Sequence, residues 1–204
     1  MNNITAKEVA RLLMENDDIL ILSHKSPDGD TLGCAFSLYY ALRQLGKNAR
    51  IECSDAFPKK YDYLYCDYIA NEFEPKFIVA VDIADVQLFG DKIQKYAKSV
   101  DVCIDHHPSN TFYAAKTLLK SDAAAACEVM YEVLGELGIE INANIANAIY
   151  TAIVTDTGGF MYANVNSTTH YITSKLIDEG AEVYALNKRL MQEKEYHKLE
   201  IKAK

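Results

Sequence analysis

Two apolar runs far apart in the chain end in bursts of histidine and carboxylate. Ile19-Leu20-Ile21-Leu22 leads into His24-Lys25-Ser26-Pro27-Asp28-Gly29-Asp30, and Val102-Cys103-Ile104 leads into Asp105-His106-His107. A third run, Phe77 to Val81, stops at Asp82, and an apolar helical stretch, Ile145 to Val154, stops at Thr155-Asp156-Thr157-Gly158. Taken singly, each motif has an ordinary explanation: an Asx turn, a helix N-cap, a hydrogen-bonded turn or a helix-terminal residue. Four segments that all stop at metal-ligand residue types point instead to a binuclear metal centre. Such a centre needs one bridging ligand and roughly three ligands on each ion, and it holds a water between the ions as nucleophile. His24, Asp28, Asp30, Asp82, His106 and Asp156 supply that number. A set of carboxylates and imidazoles without thiolate suits Mn²⁺ or Mg²⁺ better than structural Zn²⁺. Gly29, lacking a side chain, is expected to let the loop turn tightly so that Asp28 and Asp30 reach different ions.

These residues need elements to hold them. Thr5-Ala6-Lys7-Glu8 is a capping-box sequence that predicts a helix to about Glu15. Strands are expected at Ile19 to Ser23, Ala49 to Cys53, Phe77 to Val81 and Val102 to Ile104, with helices at Thr31 to Leu45 and Val86 to Tyr96 between them. Strand-helix-strand repetition with short apolar strands predicts an α/β fold, a parallel, doubly wound sheet flanked by helices. Ligands in such sheets sit beyond the carboxyl ends of the strands, where His24, Asp28, Asp30, Asp82 and Asp105 to His107 all fall. Beyond Asn110 a strand within Phe112 to Leu119 is expected, then a helical C-terminal part: Asp122 to Leu137, Asn142 to Thr155, Ser167 to Glu179, and Glu182 to about Leu199. Ala123 to Ala126 opens the first of these helices: its small residues would let a phosphate or a metal-bound group approach, and a plain high-propensity helix start is the equal alternative. The last helix meets no Gly or Pro, as though it were a connector.

The chain has 204 residues, half of them apolar, and a formal charge of −8. That charge argues against sequence-independent binding of long duplex nucleic acid, but not against short nucleotides held by metal ions. Five scattered cysteines without a CxxC pair read as reduced thiols of a cytoplasmic protein. No membrane span or signal peptide is expected. Lys188 and Arg189 read as a solvated helix face.

The motifs His24-Lys25-Ser26-Pro27-Asp28-Gly29-Asp30-Thr31-Leu32-Gly33, Val81-Asp82, Asp105-His106-His107-Pro108 and Thr155-Asp156-Thr157-Gly158-Gly159-Phe160 together resemble those of the DHH phosphoesterase superfamily. Within it, the chain is most similar to the short bacterial oligoribonucleases (nanoRNases) that also dephosphorylate 3′-phosphoadenosine 5′-phosphate. The resemblance implies that His24, Asp28 and Asp82 hold one metal ion. It implies that Asp30, Asp82, His106 and Asp156 hold the other, with Asp82 bridging. His107 would face the substrate phosphate, and Asp105 would lie behind the histidines as a supporting or outer ligand, the two forming the catalytic pair. The implied cofactors are two divalent ions, Mn²⁺ first and Mg²⁺ second. The implied partners are short oligonucleotides or nucleotides as substrates, with a homo-oligomer compatible.

Relatives of this kind also carry a smaller substrate-binding domain with a glycine-rich stretch ending in His, and no such stretch occurs here. Residues 1–181 are therefore expected to form a catalytic domain and 182–204 a connector towards a second domain that this sequence lacks. A manganese inorganic pyrophosphatase or exopolyphosphatase and a cyclic-dinucleotide phosphodiesterase are the competing enzyme readings. An inactive metal-binding fragment is the non-enzyme one.

Overall fold

The computed structural model describes residues 3–192. Five parallel strands form one sheet in the order β2-β1-β3-β4-β5: β1 (Ile19–Leu22), β2 (Ala49–Glu52), β3 (Phe77–Val81), β4 (Val102–Asp105) and β5 (Lys116–Leu119). β1 is paired on both edges, Ile19 facing Ala49 on one side and Phe77 on the other. A separate core covers each face of the central strands, which is why β1, β3 and β4 are continuous apolar runs rather than alternating ones. The strand order reverses between β1 and β3, and that switch point is where open α/β sheets place ligands.

One face of the sheet carries the larger core, built by Ile19, Ile21, Val79, Val81, Val102 and Ile104. Against it pack α1 (Ala6–Glu15), α2 (Gly29–Gln44), α3 (Ala126–Leu137) and α4 (Ala143–Asp156). The expected capping box is present in α1, Thr5 and Glu8 satisfying each other's backbone N–H groups. α5 (Ser167–Asp178) and the short α6 (Val183–Asn187) lie outside α4.

The opposite face is covered thinly, and here the structure corrects the sequence. The expected helix from Val86 to Tyr96 is two 3₁₀ turns, Val86–Leu88 and Gln94–Tyr96. Gly90 between them has φ +71, and a Cβ there would lie 2.7 Å from that of Ser54, so no continuous helix can pass this point. Phe89 and Ile93 still reach the second core beside Leu20, Leu22, Ile78 and Ala80, which explains the amphipathic pattern. The strand expected within Phe112 to Leu119 is confined to Lys116–Leu119, and the segment Lys59–Leu64 adds an unanticipated 3₁₀ turn. The helix expected from Glu182 breaks after Asn187 into a π-type turn, Lys188–Gln192, and its remainder lies outside the described residues.

α2 and α4 cross closely because small residues face one another. A Cβ on Gly33 would stand 2.5 Å from the Ala148 carbonyl oxygen and 2.7 Å from the Ala152 Cβ. One turn earlier, a Cβ on Gly29 would stand 2.2 Å from Thr155 Oγ1. Gly29 is thus the first residue of α2 with ordinary helical backbone, and its missing side chain serves helix contact rather than the expected loop turn. This crossing carries the N-terminus of α2 to the C-terminus of α4. Among the described residues no helix is long and apolar enough to cross a membrane.

Candidate metal centre

Each candidate side chain is set by a local device. Asp28 caps α2, its Oδ1 accepting the backbone N–H of Asp30 at 3.0 Å and of Thr31 at 3.2 Å. Thr31 Oγ1 donates to the Val81 carbonyl at 3.2 Å, fixing this helix start to the end of β3. Asp82, the next residue, has φ +56, a conformation that costs a non-glycine residue about 1 kcal/mol. Its backbone N–H stays on the Ile104 carbonyl at 2.9 Å while the chain turns away from the sheet. The carboxylate is almost fully buried, and its Oδ1 has no hydrogen-bond partner.

The two histidines flank Asp82 in the same way. His24 Nδ1 lies 2.7 Å from the Lys25 carbonyl, and His106 Nδ1 lies 3.1 Å from the Ala123 carbonyl. A carbonyl oxygen only accepts, so both rings carry hydrogen on Nδ1 and turn Nε2 into the site. His24 Nε2 is 3.6 Å from Asp28 Oδ1 and 3.6 Å from Asp82 Oδ2. His106 Nε2 is 3.7 Å from Asp30 Oδ2, 3.8 Å from Asp82 Oδ1 and 3.4 Å from Asp156 Oδ2. These gaps are long for hydrogen bonds. They run up to a few tenths of an ångström wider than the roughly 3–3.5 Å that separates ligand atoms each held at about 2.1 Å from one cation. His24/Asp28/Asp82 and Asp30/His106/Asp156 each converge as a potential ligand group, Asp82/His106/His107 forms an overlapping one, and the two oxygens of Asp82 face His24 on one side and His106 on the other.

Asp30 is held from behind by the start of α3. Its Oδ2 accepts from the Ala126 N–H at 2.6 Å and its Oδ1 from the Cys127 N–H at 3.1 Å. α3 therefore begins at Ala126 rather than at the expected Asp122, and the group approaching its N-terminus is a carboxylate of the site itself. Sulfur also comes closer than the sequence suggested. Cys34 and Cys127 lie 3.2 Å apart on the far side of Asp30, and burial pushes the Cys34 thiol well up, keeping it neutral. Of the cysteines read as reduced thiols, Cys34, Cys103 and Cys127 are buried, Cys53 is half-buried and Cys66 is exposed.

Without cations the site is electrostatically unbalanced. Burial raises the carboxyls of Asp30 and Asp82, and burial together with repulsion from Asp82 and Asp28 brings Asp156 to about 6 against the pull of His106. Burial opposes charge on His24, but its contacts with Asp28 and Asp82 outweigh that and push the imidazole up to about 10. An orphaned Asp82 oxygen and repelling carboxylates are what removal of divalent charge would leave, so this donor set fits two hard cations.

His107 and Asp105 form a hydrogen-bonded pair at the edge of the cluster. His107 Nδ1–H donates to Asp105 Oδ1 at 2.8 Å, pushing the imidazole up to about 9. Its ring is 42 % exposed, against 12 % for His106, and its Nδ1 also lies 3.4 Å from Asp82 Oδ1. Asp105 is fully buried and saturated: Oδ1 also accepts the backbone N–H groups of His106 and His107, and Oδ2 accepts from Asn110 Nδ2 at 2.6 Å. Burial would raise its carboxyl, yet these donors hold it below the usual range. Asp105 thus belongs to no ligand group with the other carboxylates.

Several supporting residues were not apparent from sequence. Asn110 holds Asp105, and the Ala123–Ala124 backbone that orients His106 is itself clamped. Glu128 Oε2 accepts from the Ala124 N–H at 3.1 Å, and Asn164 Nδ2 donates to the Ala124 carbonyl at 2.9 Å. Glu128 is nearly fully buried, and an acid in a mostly apolar helix start was the available signal for it. Asn164 lies in an irregular segment that carries no such pattern. Arg189 is not on a solvated face: it donates to the Lys59 and Lys60 carbonyls and to Asp62, and stands over the Tyr63 ring.

Known proteins resemble this chain in sequence and in fold. The chain is 29% identical over 178 residues to the bifunctional oligoribonuclease and PAP phosphatase NrnA of Thermus thermophilus, covering 84% of this chain and 53% of that one. It is 28% identical over 176 residues to the protein of the same description from Bacillus subtilis, covering 83% and 56%. It thus spans about half the length of these relatives. The structure superposes on an exopolyphosphatase-related protein from Bacteroides fragilis with a TM-score of 0.85 at 23% identity, over 96% of this chain and 63% of that one. Residues 18–153, which run from β1 through most of α4, match the family model described as the DHH family, N-terminal domain, and the chain belongs to that family.

Proposed function

We propose that this chain is the catalytic part of a phosphoesterase that uses two divalent cations, Mn²⁺ first among them, to hydrolyse short single-stranded oligonucleotides and nucleoside bisphosphates. The observation that carries this reading is Asp82, whose two buried oxygens face His24 on one side and His106 on the other. His24, Asp28 and Asp82 would hold one ion; Asp30, Asp82, His106 and Asp156 would hold the second. Two such ions supply neutralisation of phosphoryl oxygens and acidification of water. The relatives described as acting on oligoribonucleotides and PAP support the substrate class.

The chain's own residues do the rest. Asp105 holds the Nδ1–H of His107, so the ring's proton-transferring atom is Nε2, and the contact with Asp105 raises this imidazole's affinity for protons. From there it can donate to a phosphoryl oxygen as charge builds, or protonate the departing alkoxide. Backbone carbonyls fix the tautomers of His24 and His106 so that neither ring competes for that role. The test is to load the chain with Mn²⁺ and assay a dinucleotide, 3′-phosphoadenosine 5′-phosphate, pyrophosphate and a cyclic dinucleotide side by side. Hydrolysis of the first two above the others supports the reading, and preference for pyrophosphate contradicts it.

A further inference from the structure

We propose that the cleft of about 390 Å³ beside Asp28 and Asp156 receives the nucleoside attached to the phosphate being processed. This rests on the phosphoesterase reading and names a subsite for it. The cleft has two walls that the metal centre does not use. One is the turn after α4: Gly158 has φ +57, and a Cβ there would lie 2.5 Å from the ring of Tyr162, so that ring lies against bare backbone. Tyr162 is 59% exposed and its neighbour Met161 is 79% exposed, an aromatic face and a thioether presented together at the mouth of a charged site. The other wall is the 3₁₀ turn Lys59–Leu64, with Lys60 Nζ 4.5 Å from the centre of the Tyr61 ring.

These walls are held apart rather than collapsed. Arg189 Nε donates to the Lys60 carbonyl at 2.7 Å and its Nη2 to the Lys59 carbonyl at 2.9 Å, so the segment after α6 braces the Lys59–Leu64 turn. The floor is formed by Asp28 and Asp156, one from each candidate ligand group. A molecule whose phosphate meets that floor has room to extend between Tyr162 and Lys60. The surface offered there is flat, polarisable and mostly uncharged, with a single ammonium group. That chemistry suits a base stacked on an aromatic ring, with a cation near the sugar-phosphate linkage. It does not suit a bare pyrophosphate, which would call for several cations around its oxygens.

The experiment compares equilibrium binding of adenosine 5′-monophosphate and ribose 5-phosphate to the full 204-residue chain loaded with Mn²⁺, followed by NMR. The two ligands share phosphate and sugar and differ in the base. The proposal predicts that the adenosine compound binds at least about fivefold more tightly, the low end of what one stacked base contributes. Tyr162→Ala should erase that difference while leaving ribose 5-phosphate and Mn²⁺ affinity as they were, and Tyr162→Phe should retain it. Equal binding of the two ligands, absence of binding by either to the Mn²⁺-loaded chain, or a preference that survives Tyr162→Ala would overturn the subsite. Failure of the chain to take up Mn²⁺ would instead overturn the phosphoesterase reading on which it rests.

Discussion

Gly29 and Thr155 touch where the first turn of α2 meets the last turn of α4, so closely that a Cβ on Gly29 would lie 2.2 Å from Thr155 Oγ1. The flanking residues are Asp28 and Asp30 on one helix and Asp156 on the other. The contact thus sets the spacing of three of the candidate ligands. Gly29→Ala should push the helices apart, lowering stability by about 1–3 kcal/mol, the usual cost of overpacking, and weakening Mn²⁺ binding at the same time. Combining it with Thr155→Ala removes Oγ1 and the methyl group but keeps the Cβ 2.9 Å away, so recovery should be partial. Thermal denaturation and metal titration of the single and double variants check this. Unchanged metal affinity in Gly29→Ala would show that the crossing does not govern the site.

His106 and His107 should respond differently to replacement by Ala. His106 points Nε2 at three carboxylates, whereas the His107 Nδ1 is committed to Asp105 at 2.8 Å, with Asp82 Oδ1 farther at 3.4 Å, and its ring is half-exposed. His106→Ala should weaken Mn²⁺ binding by an order of magnitude or more, as about 10–100-fold follows even from losing outer partners of metal ligands. His107→Ala should keep most metal affinity and lower kcat by about 10²–10⁴-fold, the range for a general acid. Comparable metal loss in both variants would sink the division of roles.

The sequence and the structure agree best where one residue type has one use. Strand runs ending in Asp and His were legible because buried parallel strands must be apolar throughout and must stop where polar groups begin. The candidate ligands followed from those stops. The Val86–Tyr96 segment misled because Phe89 and Ile93 face a core without helical backbone, and periodicity alone cannot distinguish the two. The start of α3 was misplaced because Asp30, some ninety-six residues earlier, takes the N–H groups of Ala126 and Cys127, a contact no local pattern encodes. Gly29 was assigned to the right place for a different reason: its partner is Thr155, not its own loop.

Glu128 and Asn164 fix the backbone whose carbonyl holds His106 Nδ1–H, and Asn164 Nδ2 also lies 3.5 Å from the Asp156 carbonyl. Glu128→Gln keeps an acceptor oxygen and should be mild. Asn164→Ala and Glu128→Ala should free the Ala123–Ala124 segment and lower Mn²⁺ affinity by about 10-fold. Nitrogen NMR of the His106 ring in the metal-free protein is the direct check: mixed tautomers are expected in the Ala variants, and a fixed tautomer would contradict the clamp.

The metal-free protein should lose stability as pH rises. His24 and His107 are raised from 6.5 to about 10 and about 9. A raised imidazole stabilises the fold fully below its unfolded value, near 6.5, and that contribution disappears as pH climbs through 9 and 10. The lowered carboxyls of Asp28 and Asp105 contribute above their unfolded range and are lost only in acid, outside this window. Melting temperatures should therefore fall between pH 6.5 and 10 without metal, and Mn²⁺ should flatten the slope by replacing the protons. A flat profile in the metal-free protein would contradict the electrostatic account.

The central claim is that Asp82 joins two cation sites, and calorimetric titration of the metal-free chain with Mn²⁺ tests it most directly. The account predicts two ions bound by the unaltered chain, and loss of stoichiometric binding in Asp82→Asn with the fold retained by circular dichroism. Two ions still bound with unchanged affinity by Asp82→Asn would contradict it.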